Sequence, residues 1–356
     1  MKNERELMGI FACLVLLLFT AVVWAAPVRE TGQALYGQDN VADLVWENMM
    51  DDGSFNSAGI EIVDQAYTIT GSLSASFADS GLWIYKAGTA EWLNVSRINP
   101  ENMIYSGSTL YADFGASGLY KFDGTAWTQL TPSNPENIVA SGSTIYVDFG
   151  ASNGLYKWDG TAWTQLTSAK PEKMVAAGSS LYADFGASGL YKFDGTAYTQ
   201  LTSTNPENMV TSGSTLYVDF GVSYGLYKWD GTAWSCLTLT YSENMVSSAG
   251  TLYVDFGASY GLYKWDGTAL TQLTSANPEN MVTSAGTLYV DFGSSYGLHK
   301  WDGTSWSQLT SIGSENMVAS DSTLYVDFGA LGLYKWESSD WSRLTGSNPV
   351  RMAVSN

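Results

Sequence analysis

One six-residue phrase, Leu/Ile-Tyr-Val/Ala-Asp-Phe-Gly, returns seven times in this chain, beginning at Leu110, Ile145, Leu181, Leu216, Leu252, Leu288 and Leu324. Successive copies lie 35, 36, 35, 36, 36 and 36 residues apart. A worn eighth copy begins at Leu73, 37 residues before Leu110, with Ser76 in place of the aspartate. Its downstream half still matches, with Tyr85-Lys86 and Trp92 at the expected offsets. A fixed period of this size means that one supersecondary unit is stacked many times, since a unit this short cannot bury its own apolar surface.

Each unit reads as four short strands, which we call a to d. In the copy at Asn208, strand a is Asn208 to Thr211 and strand b is Thr215 to Phe220, with strict alternation of apolar and polar positions. Strand c is Leu226 to Trp229, and strand d is Thr232 to Leu237. Ser212-Gly213-Ser214 predicts a tight a–b turn, and Asp230-Gly231 predicts a c–d hairpin of type I′, whose two central residues need positive φ. No stretch of the repeats carries helical periodicity. Strand b places Leu216, Val218 and Phe220 on one face and Tyr217 on the other, so both faces of the sheet ask for cover. Four-stranded antiparallel meanders with two covered faces suit radial stacking, which leaves few exposed sheet edges. The expected fold class is therefore all-β: a β-propeller, most simply of eight blades, with seven blades and a spare unit as the alternative. Arg351-Met352-Ala353-Val354 reads as a ninth strand a, competing with Ala66 to Ile69 to complete the first blade, or capping the last.

Upstream of the repeats, Lys2 and Arg5 precede an apolar run from Ile10 to Val23, and Val23-Trp24-Ala25 offers a cleavage pattern. Residues 1–25 read as a secretory signal peptide, too short in its apolar part for a membrane span. The expected domains are that leader, an N-terminal extension over 26–65 with a short helix around Val41 to Met50, and the repeats over 66–356. The expected location is secreted, periplasmic or at the cell surface, with no stable membrane span after cleavage.

Composition removes several functions. Sixteen Lys and Arg stand against 35 Asp and Glu, for a formal charge of -19. Nucleic acid and anionic membrane surfaces both require a basic face, so neither is an expected partner. His299 is the single histidine, which argues against a histidine metal site or catalytic triad. Cys13 lies in the leader and leaves Cys236 alone, so no disulfide framework is expected. Copies this similar distribute equivalent polar groups around a ring, whereas catalysis needs different groups at one point. The chain is therefore read as a non-enzyme with no cofactor. Calcium is a weaker option, because oxygen ligands abound but no Asp-x-Asp-x-Asp-Gly loop occurs.

The Tyr-x6-Trp spacing, at Tyr120 to Trp127, Tyr156 to Trp163 and Tyr227 to Trp234, resembles the second half of a kelch repeat. The glycine doublet of kelch is absent, and the shorter unit is similar in length to the tectonin-type propeller lectins. This resemblance implies a propeller over the eight units and points only weakly to function, because propellers host many activities.

The length variation points to one face. The extra residue of the longer units falls in the b–c loop, at Asn153, Tyr224, Tyr260 and Tyr296. Insertions in repeats map to loops on one face, often the binding face. The d–a turns share that end, so Glu207, Glu243 and Glu279 join the candidate ligand-binding residues. Tyrosines stacking on sugar rings, with Glu and Asn bonding hydroxyls, make multivalent glycan recognition the first expectation. A cell-surface protein partner is the alternative. For the strand-b aspartates the expected role is structural, through a strand-c lysine or a backbone N–H. The strand-d tryptophans are expected to pack.

Overall fold

The computed structural model describes Ile69 and residues 71–355. The predicted signal peptide, the extension and its short helix all lie outside the described residues. The rest forms eight four-stranded antiparallel sheets and almost no helix, apart from three-residue 3-10 turns. In blade 5 the strands are Asn208–Ser212, Thr215–Asp219, Leu226–Trp229 and Trp234–Thr238, close to the bounds read from the sequence.

The ring closes by joining the two ends of the repeat array. Blade 1 takes strands b, c and d from Ser72–Phe77, Gly81–Lys86 and Glu91–Ser96. Its inner strand a is Pro349–Val354, which pairs antiparallel with Ser72–Phe77. The strands a touch one another around the whole circle, and Pro349–Val354 sits between Asn316–Ser320 of blade 8 and Asn102–Ser106 of blade 2. The eight-blade reading holds, and the C-terminal candidate completes the first blade. Ser355 fastens this seam: its hydroxyl accepts from the Ser72 N–H at 2.9 Å and donates to the Ile69 carbonyl at 2.5 Å. Ile69 thus flanks the closure and does not supply the strand.

Packing between blades explains the repeated phrase. In blade 5, Leu216, Tyr217 and Val218 are almost wholly buried. Tyr217 packs with Met245, Leu252 and Val254 of blade 6, while Leu216 and Val218 pack with Tyr182 of blade 4. Each such side chain contributes about 2 kcal/mol of apolar burial. Blade 1 breaks the pattern, because Ser74 stands where the other strands b have tyrosine. Tyr105, on strand a of blade 2, compensates from the other side of the junction, its hydroxyl 2.7 Å from Ser74 Oγ. At the same position of strand a, blades 3 to 8 have Ala140, Ala176, Thr211, Ser247, Thr283 and Ala319.

The turns divide differently from the sequence reading. The c–d connection of blade 5 is a four-residue loop, with Trp229 paired to Trp234, and not a two-residue type I′ turn. Asp230 Oδ1 accepts from the Thr232 N–H, the Thr232 hydroxyl and the Ala233 N–H, at 2.8 to 2.9 Å. The carboxylate closes the loop itself, so only glycine is left-handed there. Paired positive φ values occur at the a–b turns Ala249-Gly250 and Ala285-Gly286, and at one c–d turn, Ser338-Ser339 of blade 8, between the paired Glu337 and Asp340.

Candidate functional site

Antiparallel strands alternate direction, so the b–c loops and d–a turns share one end of every blade. We call this the loop face; the c–d loops and a–b turns form the opposite face. The aspartate that ends strand b builds the loop face. Asp219 is fully buried, and its Oδ1 accepts the Gly221 N–H at 2.7 Å. The same bond recurs from Asp113 to Asp327 in all seven full copies, at 2.7 to 2.9 Å. These aspartates therefore take the backbone role. Strand register keeps them from the strand-c lysines: Asp219 pairs with Leu226, whereas Lys228 sits opposite Tyr217. Two of the lysines instead cap tryptophans of the next blade, Lys264 over Trp301 at 5.9 Å and Lys300 over Trp336 at 5.0 Å.

The glutamate of each d–a turn lies over the glycine that its own blade's aspartate holds. A Cβ on Gly221, whose φ is +75°, would fall 2.8 Å from Glu207 Cγ. Glycine at this place meets both the left-handed backbone and the close side chain. The Glu207 N–H also donates to the Asp219 carbonyl at 2.8 Å, tying turn to loop. Buried aspartate and exposed glutamate thus stack as a carboxylate pair in each of seven blades. Burial, the larger cause, and the nearby glutamate push Asp113, Asp184, Asp255 and Asp327 up to about 6. In blades 5 and 7 a serine replaces the proline of the following turn. Ser242 and Ser314 each give a backbone N–H and a hydroxyl to the second oxygen of Asp219 and Asp291. Blade 1 lacks the pair, having Ser76 and Val350 at the two positions.

The tyrosines and Asn153 sit at the tip of this scaffold. The Tyr224, Tyr260, Tyr296 and Asn153 N–H groups donate to the carbonyls of Gly221, Gly257, Gly293 and Gly150, at 3.1 to 3.2 Å. A strand-d glutamine braces three of the four loops: Gln165, Gln272 and Gln308 donate to the carbonyls of Asn153, Tyr260 and Tyr296. Cys236 stands where the glutamine of the fourth would be, beneath Tyr224. Glu207 and Tyr224, Glu243 and Tyr260, and Glu279 and Tyr296 therefore lie on the adjoining d–a turn and b–c loop of the same blade, one pair per blade. Asn153 stands apart in blade 3, beside Glu136. The tyrosine side chains are 53, 53 and 63% exposed, so they do not serve as packing between loops.

Beneath the loops lies an aromatic triad, which accounts for the Tyr-x6-Trp spacing. In blade 5 the rings of Phe220, Tyr227 and Trp234 meet edge to face at 5.5 to 6.4 Å. The strand-d tryptophans also reach the previous blade, as Trp127 Nε1 does to the Val95 carbonyl at 2.7 Å. They pack, as expected. His299 takes the tyrosine's place in blade 7, between Phe292 and Trp306.

One feature of this face lay outside the sequence reading. Val222, Tyr224, Leu239, Tyr241, Tyr260, Tyr296, Ile312, Leu331 and Val350 are the exposed large apolar residues among those described. Eight lie on b–c loops or d–a turns and the ninth, Val350, at the start of strand a in blade 1, in one unbroken arc from blade 5 through blade 8 to blade 1. The signal was present as departures from the repeat: Leu239 and Ile312 replace small or polar residues at matched positions. Among the described residues no cluster of three or more His, Cys, Asp or Glu is arranged to hold a metal, and no helix is long and apolar enough to cross a membrane.

No protein-family model matches the chain, and no curated protein matches it either. The propeller architecture expected from the kelch-like and tectonin-like resemblance is present, and the repeat type itself is not confirmed. Solved structures do match. AztD from Citrobacter koseri aligns with a TM-score of 0.58 at 13% identity, over 79% of this chain and 96% of its own. The computationally designed Ika8 protein aligns at 0.56 and 9%, over 78% of this chain and 100% of its own. BamB from Moraxella catarrhalis aligns at 0.51 and 15%, over 80% and 96%. At such identities the likeness is one of fold alone.

Proposed function

We propose that this chain is an exported, non-enzymatic recognition protein that holds a protein partner on its loop face. The observation that carries the reading is the arc of nine exposed apolar side chains, confined to one face and to about half of its circumference. Soluble surfaces seldom gather apolar side chains in this way outside contact sites. The loops beneath are closed by hydrogen bonds, so little ordering is lost on contact. Aliphatic members such as Leu239 and Ile312 suit a polypeptide better than a sugar, whose hydroxyls need partners. Glycan binding is the second reading, favoured by three tyrosines repeated at equivalent loop positions in consecutive blades.

A photo-crosslinking phenylalanine analogue at position 260 tests the proposal against the same analogue at Thr268 on the opposite face. Protein adducts at 260 and not at 268 are expected in cells that make the protein. Equal adducts at both positions, or none at 260, refute it. A glycan array, run with and without calcium, tests the second reading, which requires saturable binding that is lost when Tyr224, Tyr260 and Tyr296 become alanine.

A further inference from the structure

We infer that the arc receives an extended, cationic and apolar polypeptide segment, its bulky side chains against Tyr224, Tyr260 and Tyr296 and its Lys or Arg residues over Glu207, Glu243 and Glu279. This rests on the protein-docking reading just given and names the chemistry of the partner.

Three observations converge. The first is the loss of equivalence around the ring. The loop position of the three tyrosines, which is Leu331 in blade 8, holds Ser117, Asn153 and Ser188 in blades 2 to 4. In copies otherwise so alike, a bulky half and a polar half mark one partner held in one orientation.

The second is charge. On the loop face, the b–c and d–a segments of blades 5 to 8 contain no Lys or Arg. Glu207, Glu243 and Glu279 are exposed there, one per blade. Among the described residues none of these three carboxylates is in an ion pair, although the Lys173 ammonium of blade 4 donates to the backbone carbonyl of Glu207. The contrast lies across the ring, where Lys170 neutralises Glu136. An apolar arc edged by carboxylates outside ion pairs is complementary to a segment bearing both apolar and cationic side chains. A second copy of this chain, with formal charge -19, would bring like charge to the same place.

The third is that the acidic groups are fixed. Each glutamate lies against a left-handed glycine whose N–H is held by a buried aspartate, so the carboxylates meet a partner already oriented.

The test uses a fluorescent synthetic peptide of alternating lysine and leucine, titrated into the full chain at physiological ionic strength and read by anisotropy. Two counterparts replace its lysines by serine or its leucines by serine. Expected is saturable binding of the lysine–leucine peptide at one per chain. The Y224A/Y260A/Y296A and E207Q/E243Q/E279Q variants should each weaken it by about tenfold or more. Y296A alone should weaken it less, in the same direction. The charge-matched variant E101Q/E136Q/E172Q should leave it unchanged. Equal weakening by the two glutamine variants, or equal binding of the lysine–serine peptide, would mean general charge attraction and overturn the inference. Binding of the serine–leucine peptide just as tightly, still dependent on the tyrosines, would overturn the cationic choice while protein docking survives. Tyrosine-dependent binding confined to sugars on a parallel glycan array would overturn both.

Discussion

The junction between blades 1 and 2 makes a sharp forecast about two residues. Tyr105→Ala removes a partly buried phenol ring packed against blade 1, a loss of up to about 3 kcal/mol, the low end of aromatic truncations in cores. It also takes from Ser74 Oγ its 2.7 Å partner, for about 1 kcal/mol more. Ser74→Tyr alone forces a second phenol into filled space, at about 1–3 kcal/mol. Independent effects would leave the double variant the least stable of the three. The structure calls for the reverse. Tyrosine on strand b facing a small residue on the next blade's strand a is the arrangement of six other junctions, Tyr111 with Ala140 among them. The double variant should therefore recover to within about 1 kcal/mol of the parent, a coupling larger than contacting pairs commonly show. Urea unfolding followed by tryptophan fluorescence, with all four proteins compared at one pH, measures this directly. A double variant less stable than either single would refute the exchange of volume across the seam.

Three further outcomes follow from the same geometry. Burial raises the folded-state values of Asp113, Asp184, Asp255 and Asp327 to about 6 from an unfolded value near 3.8, so the folded chain binds protons the unfolded chain does not; stability should fall as pH rises from about 4 to 6, by at most about 3 kcal/mol per group, and urea midpoints at pH 5 should exceed those at pH 7.5. Asp327→Asn keeps an acceptor for the Gly329 N–H and should raise the midpoint at pH 7.5 while flattening the pH profile, both read from the same titrations. Gly261→Ala would place a Cβ within 2.7 Å of the Ser275 backbone at a φ of +75°; a loss above about 2 kcal/mol by urea unfolding is expected, against under 0.5 kcal/mol for Ala258→Ser on the exposed tip of the same loop.

The fold was legible because its signal is periodic. Alternation in Leu216-Tyr217-Val218-Asp219 reports a two-sided strand, and repetition at 35 or 36 residues reports stacking. Ring closure was less legible, since Ile69 and Val354 both end apolar segments and only three-dimensional pairing decides between them. The c–d turn was misread because Asp-Gly carries two meanings. Its carboxylate captured three donors and built a longer loop, where dipeptide statistics favour a two-residue turn. Tyr105 looks like an oddity in the sequence, and its purpose appears only beside Ser74. Of the loop face, the tyrosines and glutamates were legible as insertions and repeats. Val222, Leu331 and Val350 were not, because a single apolar residue in a loop is unremarkable until its neighbours around the ring are seen to match.

The strand that completes blade 1 lies more than 270 residues beyond the one it pairs with. Until Pro349–Val354 arrives, Ser72–Phe77 has a bare edge of backbone donors and acceptors, open to any strand that passes. Shortened chains that end before residue 349 should thus be sticky, linking one unfinished circle to the next through the vacant slot, and an added peptide copying 349–355 should silence that tendency.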